Sequence, residues 1–202
     1  MKHIALALTG ASGAAYGLRL LECLLAAECR VSLMLSQAAR IVLKQELDLN
    51  LPTDNAALVD FLRQRYGGNG ELAAYGEKEW FSPLASGSGA ADAMVICPCS
   101  MGSLAAVAHG LADNLIARAA DVMLKERRLL ILVPRETPFS LIHLRNMTQL
   151  AEAGAVILPA NPGYYYRPER VEDIIDFVVA RILDQVGVAQ TLIPRWGNPK
   201  EE

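Results

Sequence analysis

The sequence predicts an α/β fold, in which a doubly wound parallel sheet of the Rossmann or flavodoxin type carries helices on both faces. Short apolar segments recur along the chain and are continuous, as in strands that are buried on both faces. Segments with apolar residues at helical spacing lie between them, and this alternation is typical of a parallel sheet. With 202 residues the chain can bury one sizeable core, so we expect a single domain spanning residues 1–202.

Five apolar segments predict the strands, at residues 3–8, 31–35, 93–97, 129–133 and 155–158. Helices between them are predicted from apolar residues three or four positions apart, namely Leu18, Leu21 and Leu25, then Leu104, Val107 and Ala108, and later Ile174, Phe177 and Val178. Such sheets bind ligands at the carboxyl ends of their strands, so the loops after the strands are expected to form the site.

Two segments interrupt this alternation. Residues 48–88 contain a predicted helix at 56–65 and then a glycine-rich stretch, and we interpret the segment as a lid or an interface arm. Residues 187–202 carry prolines and a tryptophan, which are unfavourable for a helix but too apolar for a free tail. We therefore predict that this tail packs on a neighbouring copy.

Composition points to self-association and away from nucleic acid. The chain is 52% hydrophobic and 20% charged with a mean hydropathy of +0.24, which predicts that other copies cover part of its surface in a homo-oligomer. Its net charge of -3 and isoelectric point near 5.7 provide no basic field for a polyanion.

The sequence also indicates a cytoplasmic protein without a membrane segment. Residues 93–112 lack formal charge, but Pro98 and Gly102 within them fit a strand, loop and helix better than a membrane span. The first apolar run is cut short by Thr9, so we interpret it as a strand and not as a signal peptide. The four cysteines include no CxxC pair, and nothing suggests secretion.

The loop after the first strand has the composition of a phosphate-binding loop. Residues 9–17 read TGASGAAYG, with small side chains immediately before a helix. They match neither GxGxxG nor a Walker A loop, and a tight packing turn explains them equally well. Ser36 follows the second strand where an NAD site requires an acid, so a mononucleotide fits better than a dinucleotide.

Later loops add hydroxyl and charged groups at the same edge. Ser100 and Ser103 follow the third predicted strand, and one of them is expected to cap the next helix. Arg135 and Glu136 follow the fourth, which combines a cation with a carboxylate. Three helical cations either reach this site, from the same or another subunit, or form solvated helix faces: Arg118, Lys125 and Arg181.

The sequence does not support a metal site. Glu172, Asp173 and Asp176 resemble a DDxxD magnesium motif, but acids in the first turn of a helix usually act in capping. His109 and His143 have no second ligand at helical spacing, and we assign neither a role in a site.

Four motifs together resemble the UbiX family of flavin prenyltransferases over nearly the whole chain. They are TGASGAAYG at 9–17, CPCSMGSLAAVAHGLADNLIARAADVMLKERR at 97–128, LVPRETPFSLIHLRNM at 132–147 and GAVILPANPGYY at 154–165. The resemblance implies metal-independent transfer of a dimethylallyl group from dimethylallyl monophosphate to N5 and C6 of reduced FMN. It further implies a dodecamer with shared sites, a link to ubiquinone biosynthesis, and delivery of prenylated FMN to a UbiD-type decarboxylase.

The resemblance also assigns roles to individual residues. It implies FMN contacts for Gly10, Ala11, Ser12, Ser36, Ser100, Met101, Gly102, Ser103 and Arg135. It places Tyr165, Arg181, Arg118 and Lys125 at the dimethylallyl phosphate, and Trp80 and Trp196 at the border of the pocket. The implied catalytic residues are Ser12 and Glu46 near the reactive edge of the flavin, and Glu136 beside the phosphate.

One departure and two alternatives remain at this stage. Gly102 and Ser103 stand where the family often has Lys-Thr. The first alternative is an FMN-dependent decarboxylase of an aromatic acid or a peptidyl cysteine, although cysteine decarboxylases have an asparagine in the loop that reads PCSMGS here. The second alternative is a non-catalytic flavin carrier.

Overall fold

A computed structural model describes residues 1–194 and contains a sheet of six parallel strands. The strands are β1 (His3–Leu8), β2 (Arg30–Leu35), β3 (Glu71–Tyr75), β4 (Ala93–Cys99), β5 (Leu129–Pro134) and β6 (Val156–Ile157). Their order is β3-β2-β1-β4-β5-β6, so β1 pairs with both β2 and β4. This reversal is where a doubly wound sheet opens a crevice at the carboxyl ends of its strands, and the predicted fold class is confirmed.

Helices cover both faces of the sheet. They are α1 (Ala14–Ala26), α2 (Gln37–Leu47), α3 (Asn55–Tyr66), α4 (Met101–Ala108), α5 (Leu115–Lys125), α6 (Leu141–Glu152) and α7 (Val171–Val186). The core on one face is shared by α1, α2, α3 and α7, and the core on the other by α4, α5 and α6. Because side chains alternate along a strand, β1 places Leu6 and Leu8 in the first core and Ala5 and Ala7 in the second.

The segment 48–88 contributes to the sheet, which the sequence analysis did not predict. Its predicted helix is present as α3, but the chain then forms β3, which pairs in register with β2 from Arg30 opposite Glu71 to Met34 opposite Tyr75. The β3 sequence ELAAY contains no β-branched residue, so it lacks the apolar signal of the other strands. The remainder, 76–92, crosses the surface with two short 3-10 turns, and the interface arm stays a prediction for that part.

The described part of the tail, residues 187–194, packs against its own chain. The Tyr166 hydroxyl donates to the Pro194 carbonyl at 3.0 Å, and Leu192 contacts the core. Packing of the tail on a neighbouring copy stays a prediction, and Trp196 lies outside the described residues. Within residues 1–194, no helix has the length and apolar character needed to cross a membrane.

Candidate active site

The carboxyl ends of β2, β1, β4 and β5 bring the predicted flavin contacts to one edge of the sheet. Residues 10–12 follow β1, Ser36 follows β2, residues 100–103 follow β4 and Arg135 follows β5. Four loops that are far apart in sequence therefore surround the crevice at the point where the strand order reverses.

Thr9 connects the loop after β1 to the loop after β4 by hydrogen bonds. It is 2% exposed, its Oγ1 donates to the Pro98 carbonyl at 2.9 Å, and the same oxygen accepts the Ser100 amide at 2.8 Å. Its own amide donates to Pro98 as well, at 3.1 Å. Thr9 was not among the predicted site residues, although a hydroxyl directly after an apolar strand is a recognisable signal.

Serine side chains form the N-caps of the helices on either side of the crevice. Ser36 Oγ accepts the Ala39 amide at 3.0 Å and caps α2. Ser100 Oγ accepts the Ser103 amide at 3.2 Å, capping α4, and lies 3.0 Å from Ser103 Oγ. Capping by one of this pair was predicted.

Two further residues, which were not predicted from the sequence, lie beside the capping serines at the crevice. Glu77 and Asn114 line a small cavity together with Ser36 and Ser103. The Glu77 carboxylate accepts the Gln37 amide at 3.1 Å, and Asn114 caps α5 by accepting the Ala117 amide at 2.9 Å. An asparagine directly before a helix is a common capping signal, whereas the contact of Glu77 depends on the unpredicted strand β3.

The first helix N-terminus at this edge binds a carboxylate of the same chain. Glu46 in α2 accepts the Gly13 amide at 3.0 Å and the Ala14 amide at 3.0 Å. Gly13 has a φ of 103°, a conformation that favours glycine, and its turn aims both amides at Glu46. These two N–H groups are therefore used internally, which argues against residues 9–17 as a simple phosphate loop.

The predicted catalytic pair Ser12 and Glu46 is brought together. Glu46 is exposed overall, and partial desolvation of its carboxyl raises its pKa. Hydrogen bonds from the Ser12 hydroxyl and from the two amides, together with the positive charge of Arg135, outweigh desolvation and leave the pKa of Glu46 lowered. The carboxylate is thus ionised at neutral pH and lies close to the Ser12 hydroxyl.

Arg135 and Glu136 lie at the same edge with different exposure. Arg135 is exposed directly after β5, and Glu136 is half-buried. The Glu136 carboxylate accepts the Thr137 amide at 3.1 Å. A carboxylate held by its own loop beside an arginine can exchange a proton with an anionic ligand bound there.

Tyr165 and Arg181 line one open groove of about 760 Å³ beside α7. The Tyr165 ring centroid lies 4.7 Å from that of Tyr166 and 5.8 Å from that of Phe177. Arg181 Nη1 donates to Asp184 Oδ2 at 2.7 Å in the same groove. Two of the four residues that were predicted at the substrate phosphate therefore line the same groove.

The other two predicted phosphate ligands, Arg118 and Lys125, do not line this groove and pair with groups of their own chain. Arg118 donates to the Ala85 carbonyl at 3.0 Å and pairs with Asp121 at 2.8 Å. Lys125 pairs with Glu126 at the end of α5, just before β5 begins, so it lies toward the amino edge of the sheet. This position is opposite to the flavin loops.

Trp80 lies with Arg118 and not with the flavin loops. It is 43% exposed in the segment 76–92 and lines a shallow pocket that includes Ala85, whose carbonyl binds Arg118. Lys78 Nζ lies 5.9 Å from the centroid of the Trp80 ring. The role of Trp80 at the border of the substrate pocket stays a prediction.

The acidic motif on α7 has structural partners. Asp173 Oδ2 accepts the amides of Glu169 at 2.9 Å and Arg170 at 3.0 Å, and Asp176 pairs with Arg19 at 2.7 Å. These contacts account for the motif as capping and pairing groups. Across the part of the chain that the structure describes, no group of three or more His, Cys, Asp or Glu side chains is placed to hold a metal ion.

The fold and this crevice define a nucleotide-binding α/β protein, and the profile of the flavoprotein family matches residues 1–183. The chain is 56% identical to the flavin prenyltransferase UbiX of Pseudomonas aeruginosa over 198 residues, which cover 98% of this chain and 95% of the relative. The chain therefore belongs to the UbiX flavin prenyltransferases within the flavoprotein family.

Two solved structures have the same fold. The crystal structure of AnUbiX in complex with FMN and dimethylallyl pyrophosphate superposes with a TM-score of 0.87 at 39% identity, covering 98% of this chain and 99% of that one. The dodecameric FMN-dependent UbiX-like decarboxylase of Escherichia coli O157:H7 superposes with a TM-score of 0.82 at 36% identity, covering 98% and 100%. The resemblance found in the sequence is confirmed.

Proposed function

We propose that this chain is a flavin prenyltransferase that joins the dimethylallyl group of dimethylallyl monophosphate to N5 and C6 of reduced FMN. The observation that carries the proposal is the convergence of the four flavin loops at one edge of the sheet, in a chain that is 56% identical to a UbiX enzyme over 98% of its length. The product of this reaction is prenylated FMN.

The loops around the crevice have the chemistry that a flavin mononucleotide requires. Its loops consist of small residues and hydroxyl groups, and Gly10 packs so closely on α2 that an added Cβ would lie 2.5 Å from that of Ala38. We propose that residues 10–12, Ser36, residues 100–103 and Arg135 hold FMN, which when reduced supplies the nucleophilic N5 and C6. The Ser12 hydroxyl, which lies close to Glu46, is proposed to donate a hydrogen bond near the reacting edge of the ring.

The groove of Tyr165 and Arg181 is proposed to bind the substrate phosphate. Phosphate would leave as its carbon–oxygen bond breaks and the bond from flavin N5 to the first dimethylallyl carbon forms, so a guanidinium and a phenol would stabilise the departing charge without a metal ion. Glu136, held by its own loop beside Arg135, would relay a proton to the departing phosphate.

A shared site follows from the position of Lys125. Because this lysine lies toward the amino edge of its own sheet, we propose that Arg118 and Lys125 act in the site of a neighbouring copy. The UbiX-like structure from Escherichia coli is dodecameric, and we propose a homododecamer of single-domain chains for this protein. Trp80, on the same surface as Arg118, would then border the pocket of the neighbour, as would Trp196 from outside the described residues.

The proposal also covers the partners and the location of the protein. We propose that prenylated FMN is delivered to a UbiD-type decarboxylase, that the enzyme acts in the cytoplasm and that it has no nucleic-acid partner. The net charge of -3 supports the last of these.

The proposal is tested by measuring release of inorganic phosphate from dimethylallyl monophosphate under anaerobic conditions. Phosphate release that requires reduced FMN supports prenyl transfer. Carbon dioxide release from an aromatic acid or a peptidyl cysteine by the purified protein alone would instead support the decarboxylase. Tight FMN binding without binding of dimethylallyl monophosphate would support the carrier.

A further inference from the structure

The groove beside α7 contains a carboxylate in direct contact with its arginine. Arg181 Nη1 donates to Asp184 Oδ2 at 2.7 Å, and the two side chains keep 49% and 32% of their exposure. Among the described residues that line the groove, Arg181 and Asp184 are the charged ones, so their formal charges cancel. Such a groove attracts an anion less strongly than an unpaired arginine would.

The second carboxylate oxygen of Asp184 also has a partner, in the turn that follows α7. Gln190 Nε2 lies 3.5 Å from Asp184 Oδ1, while Gln190 Oε1 accepts the amides of Leu192 at 2.9 Å and Ile193 at 3.2 Å. The same turn continues to Pro194, whose carbonyl accepts the Tyr166 hydroxyl at 3.0 Å. Asp184 is therefore part of the wall of the groove, and its carboxylate stays beside the position where an anion would meet Arg181.

We infer that Asp184 determines which anion the groove accepts, by disfavouring a diphosphate relative to a monophosphate. The inference rests on the proposed function, since it assigns the groove to the substrate phosphate. A phosphate monoester carries close to two negative charges near neutral pH, and a diphosphate carries roughly one more. Each added negative charge increases repulsion from the Asp184 carboxylate, while Arg181 alone would favour the more highly charged ligand.

The test measures binding of inorganic phosphate and pyrophosphate by calorimetry, as probes of the groove that need no flavin. Asp184→Asn keeps the size of the side chain and an oxygen that can accept from Arg181, but it removes the charge. We expect the ratio of the two dissociation constants to shift toward pyrophosphate by roughly three- to tenfold at low salt, since the pair is partly exposed and screened. The shift should shrink in high salt.

Two variants separate charge from structure. Asp184→Glu retains the carboxylate, so its ratio should stay near that of the unmodified protein. Glu22→Gln removes the carboxylate of a matched pair in α1, where Arg19 Nη1 meets Glu22 Oε2 at 2.7 Å with the same three-residue spacing. This variant changes the net charge equally, away from the groove, and its ratio should not move.

The outcomes separate this inference from the proposed function. An unchanged ratio in Asp184→Asn, an equal shift in Glu22→Gln, or failure of the unmodified protein to bind either anion would overturn the role of Asp184. If the ratio shifts as expected but no prenyl group is transferred to reduced FMN, the selectivity of the groove stands and the prenyltransferase proposal fails.

Discussion

The Glu46 carboxylate accepts the Gly13 amide at 3.0 Å and so binds the N-terminus of α1 at the point where the first loop turns toward the crevice. A carboxylate at this position is stabilised by the positive end of the helix dipole. It also lies beside the Ser12 hydroxyl, which helps to lower its pKa, so one side chain binds the loop backbone and adjoins a proposed catalytic group. The contact therefore links the stability of the loop to its chemistry.

Replacing Glu46 with glutamine is expected to destabilise the fold by about 0.5–1 kcal/mol at neutral pH. Because the pKa of Glu46 is lowered in the folded state, its stabilising effect is present above the ordinary value of 4.5 and is lost as the pH falls through the folded pKa. Denaturant unfolding at a series of pH values should show the variant and the unmodified protein converging in acid. A constant difference down to acid pH would contradict this, and exposed Glu152→Gln serves as control.

Replacing Thr9 with valine should weaken both the fold and flavin binding. The substitution keeps the shape but removes the hydroxyl, which leaves the partly buried Ser100 amide without its acceptor at a cost of about 1 kcal/mol. Thermal unfolding and titration with FMN measure the two effects, and Thr9→Ser should retain most of both. Equal FMN affinity in the valine variant would show that the link from β1 to β4 does not position the site.

Replacing Glu136 with glutamine should slow prenyl transfer by roughly a hundredfold while FMN affinity changes little. The amide keeps the size of the side chain but cannot relay a proton. The comparison needs the turnover rate and the FMN dissociation constant of the same preparation. Equal turnover in the variant would remove Glu136 from the mechanism.

Mixed oligomers test whether Lys125 acts across a subunit boundary. Lys125→Ala and Ser12→Ala are each expected to be inactive alone, because each lacks one part of every site. When the two variants are dissociated and reassembled together, some sites combine an intact Ser12 with an intact Lys125, and activity should return in proportion to them. Absence of any recovery in verified mixed oligomers would place Lys125 in the site of its own chain, and an active Lys125→Ala variant would remove it from the mechanism.

Much of the fold is readable from the sequence because four strands, β1, β2, β4 and β5, are buried on both faces and form continuous apolar runs. The edge strand β3 is not, since ELAAY has little apolar signal and its place depends on pairing with β2. The flavin edge could be predicted because the loops that follow parallel strands all lie at one edge of the sheet. The partners of Glu46 could not, because they depend on how α2 packs beside α1. The distance of Lys125 from that edge could be judged only once the direction of α5 was known.

Mass spectrometry of the flavin tests the central claim most directly. The purified protein is incubated anaerobically with reduced FMN and dimethylallyl monophosphate, and the flavin is then released and weighed. Prenyl transfer predicts a flavin heavier by one five-carbon unit, which is absent when Arg181→Ala replaces the unmodified protein. Recovery of unmodified FMN alone, under verified reduction, would contradict the prenyltransferase assignment.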